Sequence, residues 1–190
     1  MGLVLGGPSV GRATTLQIDV NGILTGATGV DVGGTLYNVE FVDGTCAALF
    51  NGCNLPTDFT FTTQTDDIAA SAALLNSVFI SGFESHPEKI HGCSWIVECF
   101  TLTPYRYNSY FNEVNFSYVN ISSIFIDDVG LGYMPQNFDS ANSVFCNFAS
   151  WSQSIQSVPE PSSFLLLASG LVGIAGYRWR QRHQAGVQVG

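Results

Sequence analysis

The side chains best equipped for chemistry crowd one short stretch: Glu84, His86, Glu88, His91 and Cys93. A metal site needs three or four converging ligands, and two histidines separated by four residues on a loop do not match a zinc spacing. A cysteine–histidine nucleophile needs a third group to orient the base and a thiol kept reduced. The reading is therefore a solvated loop. Asp66-Asp67 precede an alanine-rich run and read as a helix start. Asp127-Asp128 would point to opposite faces if extended, so a turn is expected there. No Asp-x-Asp-x-Asp-Gly calcium loop and no Gly-x-Ser-x-Gly elbow occurs. No catalytic residue, metal or cofactor is expected.

The cysteines carry the next possibility. There are 5, with no Cys-x-x-Cys pair; they are either buried thiols or two disulfides with one cysteine left over, the latter implying an oxidising compartment. Cys46 and Cys53 bracket a segment whose Asn51-Gly52 favours a turn, so that pair could close locally. Cys93 and Cys99, if the chain between them is extended, stand roughly 20 Å apart at ~3.3 Å per residue. A disulfide needs Cα atoms within ~7 Å. One of the two would therefore seek Cys146, and the candidate bridging residues are Cys46, Cys53, Cys99 and Cys146.

Tyr105, Tyr107, Tyr110, Phe111, Phe116, Tyr118 and Tyr133 could stack on sugars if they share an exposed face, or pack across strands if they do not. Asn115-Phe-Ser and Asn120-Ile-Ser match glycosylation sequons, in a strand setting that weakens them.

These groups must be positioned by a largely β body. Leu16, Ile18 and Val20 alternate with polar residues before Asn21-Gly22, a type I′ hairpin signal, and a second turn falls at Gly33-Gly34. Thr35–Val42 presents Leu36, Asn38 and Glu40 on one face and Tyr37, Val39 and Phe41 on the other. Ile68, Ala72, Leu75 and Phe79 recur at helical spacing, so one helix is expected near 66–79. Residues 94–105, 113–122 and 123–130 read as further strands. The expected fold is α+β: a mostly antiparallel domain over 14–149, meander- or sandwich-like, with one body helix. Residues 150–157 read as a polar linker.

Composition bounds the function. Charged residues make up 11% of the chain, against about 25% in average soluble domains. The net charge is −9, and between Ala13 and Val158 the only cations are Lys89 and Arg106. Such a body repels phosphate backbones, which argues against nucleic-acid binding. Residues 1–13 have a short apolar run and small residues but no basic start, and read as the remnant of a signal peptide.

The remaining feature is the end of the chain. Val158-Pro159-Glu160-Pro161-Ser162 is followed by an apolar run and then by Arg178, Arg180 and Arg182. Phe164–Tyr177 spans 14 uncharged residues, ~21 Å as a helix against a ~30 Å hydrocarbon core. Pro159 and Pro161 hold the approach extended. Tyr177 and Trp179 suit an interface, and the arginines suit the cytoplasmic side. A C-terminal transmembrane helix over 163–177 is expected, with a basic end at 178–183 and a tail at 184–190.

This order of parts resembles the PEP-CTERM sorting signal of exported proteins in Gram-negative bacteria. The resemblance implies that residues 158–183 are handled by exosortase, a multispanning membrane protein with a cysteine nucleophile, during transit through the inner membrane. Val158, Pro159, Glu160 and Pro161 would then be recognition residues of a substrate. The function expected is a non-enzymatic exported protein of the cell surface or extracellular matrix, linked to exopolysaccharide; the other reading is a secreted carbohydrate-binding module or hydrolase on the same tail.

Overall fold

Thr15–Ile18 (β1), Leu24–Val32 (β2) and Thr35–Val42 (β3) form one antiparallel meander, and Glu98–Asn108 (β4), Glu113–Ser122 (β5) and Asp128–Pro135 (β6) form a second. Cys146–Gln153 (β7) lies between them, antiparallel to β3 and parallel to β4. The sheet order is β1-β2-β3-β7-β4-β5-β6. This computed structural model describes residues 13–80 and 82–154. The two meanders join edge to edge through β7, so the described body is a single sheet with few helices rather than a sandwich.

β7 also revises the expected linker. Ser150–Gln153 belong to the strand, pairing with Glu40, Asn38 and their neighbours, and the compact body extends to Ser154. No alternation marks the strand, because Cys146, Asn147, Phe148 and Ala149 are all buried and Ser150–Gln153 is polar except for Trp151. A strand covered on both faces loses its apolar–polar alternation.

Turn chemistry explains the hairpins. Gly33 and Gly34 have φ of 61° and 88°, Val32 pairs with Thr35, and positive φ at both central residues is what a type I′ turn requires. Asn21-Gly22 behaves differently. Only Gly22 takes positive φ (80°), and the Asp19 carboxylate accepts the N–H groups of Asn21 and Ile23 at 2.9 and 2.8 Å. The connection is a five-residue side-chain-stapled loop, not a type I′ turn.

Gln64–Ser77 forms the long helix, α2, with a short helix, α1, at Cys46–Leu49. Thr63 caps α2 by accepting from the Asp66 N–H, and Asp66 and Asp67 sit at its positive end. The helix is rolled about one residue from the expected face: Asp67, Ala70, Ser71 and Leu74 are buried. It covers one side of the sheet, where Leu74, Val78 and Phe79 join Val39, Phe41 and Val119 in the larger core. Leu102 of β4, Phe116 of β5 and Phe148 of β7 pack in the second core with Phe59 and Cys46–Cys53. Both faces of the sheet are thus covered.

Cys46 and Cys53 are disulfide-bonded across a Cα separation of 5.6 Å, with Asn51 and Cys53 at positive φ, as the local turn predicted. The second bridge corrects the sequence reading. Cys93 and Cys99 are bonded at a Cα separation of 5.8 Å, while Cys146 is a buried free thiol. The extended geometry assumed for 93–99 does not hold, because β4 begins only at Glu98. Before it the chain folds into a loop whose Ser94 and Trp95 N–H groups both donate to the Val144 carbonyl, at 2.8 and 2.9 Å. Ile124, Phe125 and Ile126, expected in a strand, form an exposed loop before β6.

Non-reducing peptide mapping of the exported protein is expected to find Cys46 linked to Cys53 and Cys93 linked to Cys99. Thiol titration should count about one free cysteine, reactive only after unfolding. A Cys99–Cys146 peptide would contradict this pairing.

Candidate functional site

The first turns of α2 bring a carboxyl group into the interior. The Ser117 N–H donates to Asp67 Oδ2 at 2.5 Å, and Ser117 Oγ donates to the Asp67 backbone carbonyl at 2.8 Å. With that hydroxyl proton committed, Ser71 must be the donor in its 2.6 Å contact with Ser117 Oγ. Ser71 lies one helical turn after Asp67, so both reach the same strand position. Beside them Trp151 Nε1 donates to Thr103 Oγ1 at 3.3 Å, and Thr103 is the cross-strand partner of Ser117. This buried network ties α2, β4, β5 and β7 together. The helix roll follows from it, since only the Asp67–Ser71 face can satisfy Ser117.

Asp67 is fully buried, and its Oδ1 has no hydrogen-bonding partner. Burial raises its pKa from 3.8 to about 7, against the lowering effect of the Ser117 hydrogen bonds. Tyr105 is likewise raised, first by burial and then by Asp67. The sequence reading treated Asp67 as a helix-start residue. The signal for its interior position was the spacing Asp67, Ala70, Ser71, Leu74, which shares one helical face.

The other sequence candidates disperse. His86 Nδ1 contacts Glu88 Oε1 at 3.1 Å on an exposed loop, and Cys93 is committed to a disulfide. Among the described residues no cluster of three metal-capable side chains forms. Asp127 Oδ1 accepts the Ser122 N–H at 2.8 Å and closes the loop before β6; burial raises its pKa. Tyr105 and Phe116 are buried, whereas Tyr110, Phe111 and Tyr133 are exposed. Tyr110 and Phe111 occupy the turn after β4 and Tyr133 lies on β6, so the aromatics form no single stripe. Asn120 is buried. Cys146 lines an apolar cleft of about 330 Å³ with Phe100, Phe116, Tyr118 and Phe145, and burial raises its thiol pKa. Val158, Pro159, Glu160, Pro161, Arg178, Arg180 and Arg182 lie outside the described residues, as do the expected transmembrane helix and the segment 1–12. Among the described residues no helix is long and apolar enough to cross a membrane.

The described body is therefore a β-sheet domain with a buried polar node. Residues 157–182 match the family model of the PEP-CTERM protein-sorting motif, which agrees with the span 158–183 read from the sequence. The chain thus carries a PEP-CTERM sorting motif, and that motif implies export by way of exosortase, a membrane enzyme. No curated protein and no solved structure matches the chain at a significant level.

The Asp67 carboxyl sets a pH dependence of stability. Its folded pKa of about 7 lies above the ordinary 3.8, so between those values the folded state retains a proton that the unfolded state has released. Stability from this group is greatest below about pH 4, falls as pH rises toward 7, and then levels off. The loss is on the order of 2–4 kcal/mol. Asp67→Asn keeps an acceptor for the Ser117 N–H and removes the titration. The stability difference between variant and parent, measured by urea unfolding, is expected to shift in favour of the variant from pH 4 to pH 8. A difference that stays constant over that range would contradict the assignment.

Proposed function

We propose that this chain is a non-enzymatic protein which exosortase cleaves near residues 158–162 and which then resides at the cell surface or in an extracellular polysaccharide matrix. The match of residues 157–182 to the sorting motif carries the reading. Pro159, Glu160 and Pro161 serve as the recognition element, the apolar run as the transient membrane segment, and Arg178, Arg180 and Arg182 as its cytoplasmic stop. Two short-range disulfides in the body favour an oxidising destination. The polar node around Asp67 has a structural role: Asp67 Oδ2 and the Asp67 carbonyl accept from Ser117, and Ser71 bonds the Ser117 hydroxyl, all within the fold.

The test is the mass of the mature protein made in a PEP-CTERM host with and without exosortase. With the enzyme, the chain is expected to end near residues 158–162; without it, the unprocessed tail should stay in the membrane fraction. Glu160→Ala should behave like loss of the enzyme. A C-terminus reaching Gly190 in both hosts would sink the reading.

A further inference from the structure

We propose that the recess at the β4 bulge is a binding site for a carboxylate carried on a hydroxylated ring, in chemical class a uronic acid. In β4, Pro104 pairs with Phe116 and Arg106 with Asn115, which leaves Tyr105 without a cross-strand partner. The bulge breaks the strand's alternation, and bulges commonly re-aim side chains in this way. Three consecutive residues, Tyr105, Arg106 and Tyr107, consequently line one recess together with Asn54, Pro56 and Thr62. Its volume is about 260 Å³, below the roughly 300–1,000 Å³ of drug-sized sites, and suited to a single ring. Tyr105 is the buried back wall, while Asn54, Pro56, Thr62 and Arg106 are exposed at the mouth.

The lining groups are unspent. Arg106 is the one arginine among the described residues and forms no ion pair among them; the pair that does form joins His86 and Glu88. The side chains of Asn54 and Thr62 likewise have no hydrogen-bonding partner among the described residues. Neighbouring groups are committed elsewhere. Asp58 accepts the backbone N–H groups of Asn54 and Leu55 at 3.0 and 2.9 Å and contacts Asn51, which lowers its pKa. The Tyr107 hydroxyl donates to Asn112 Oδ1 at 2.7 Å, so Tyr107 offers the ligand its ring. A guanidinium fork matches a carboxylate bidentately. The Asn54 amide and Thr62 hydroxyl suit ring hydroxyls, and Pro56 and the tyrosines supply the apolar walls a sugar face packs on. In a body of otherwise acidic character, one guanidinium in a concave recess selects a single carboxylate.

The site stands independently of the sorting reading, since its binding requires no processing. The probe is galacturonate, titrated into the full chain in detergent and followed by side-chain and amide NMR shifts. Saturable millimolar binding that perturbs Arg106 and Thr62 is expected, with galactose and acetate each weaker by about tenfold or more, the effect of losing a charge-assisted contact or the ring contacts. Arg106→Gln should weaken binding by about tenfold with an unchanged melting temperature, and Arg106→Lys should recover part of it. Thr62→Val, on the exposed rim, gives a second reading if Arg106→Gln fails to fold, and should weaken binding several-fold. Equal affinity for galactose overturns the carboxylate, and equal affinity for acetate overturns the ring. Undetectable galacturonate binding, or full binding by the folded variants, overturns the site.

Discussion

The sheet depends on one strand. β7 supplies the inner edge for both meanders, pairing antiparallel with β3 from Val42 to Tyr37 and parallel with β4 from Phe100 to Leu102. Without it, two three-stranded sheets would each present an unpaired inner edge to solvent, and such edges are liabilities that folds must cover. β7 also holds the interior on both sides. Phe148 packs with Leu102 and Phe116, whereas Ala149 and Trp151 join the core under α2. Its influence reaches the polar node, because the Trp151 indole donates to Thr103 beside Ser117.

The position of that strand in the chain has a functional consequence. β7 ends at Gln153, only a few residues before the sorting motif that begins at 157. The body therefore cannot close its sheet until the chain is present through Gln153, next to the sorting motif. Local devices hold the halves meanwhile: both disulfides close loops of 6 or 7 residues of sequence separation, and each meander pairs sequential strands. Long-range pairing falls to the last strand, where loop-closure entropy is largest.

Local chemistry was legible in the sequence, and long-range chemistry was not. Gly33-Gly34, the Cys46–Cys53 loop, the faces of β3 and the existence of α2 follow from neighbours within a few residues. β7 was missed because burial on both faces erases alternation. The Cys93–Cys99 bridge was missed because the loop between them is shaped by the Val144 carbonyl, some fifty residues away. The roll of α2 escaped because its apolar residues are mostly small alanines and its true inward face includes an acid. The recess around Arg106 exists only through a bulge, whose one local signal is Pro104 inside an internal strand. The sorting tail is the opposite case: the order of residues in one short stretch is enough to match the PEP-CTERM motif.

Amide hydrogen exchange of Ala149→Pro against the parent tests the role of β7 most directly. Ala149 pairs with Phe41 in the middle of the strand, and proline there removes a ladder donor. The account predicts that β3 and β4 lose protection together, with β5 following through the node at Ser117. Loss confined to β3, with β4, β5 and β6 as protected as in the parent, would contradict it.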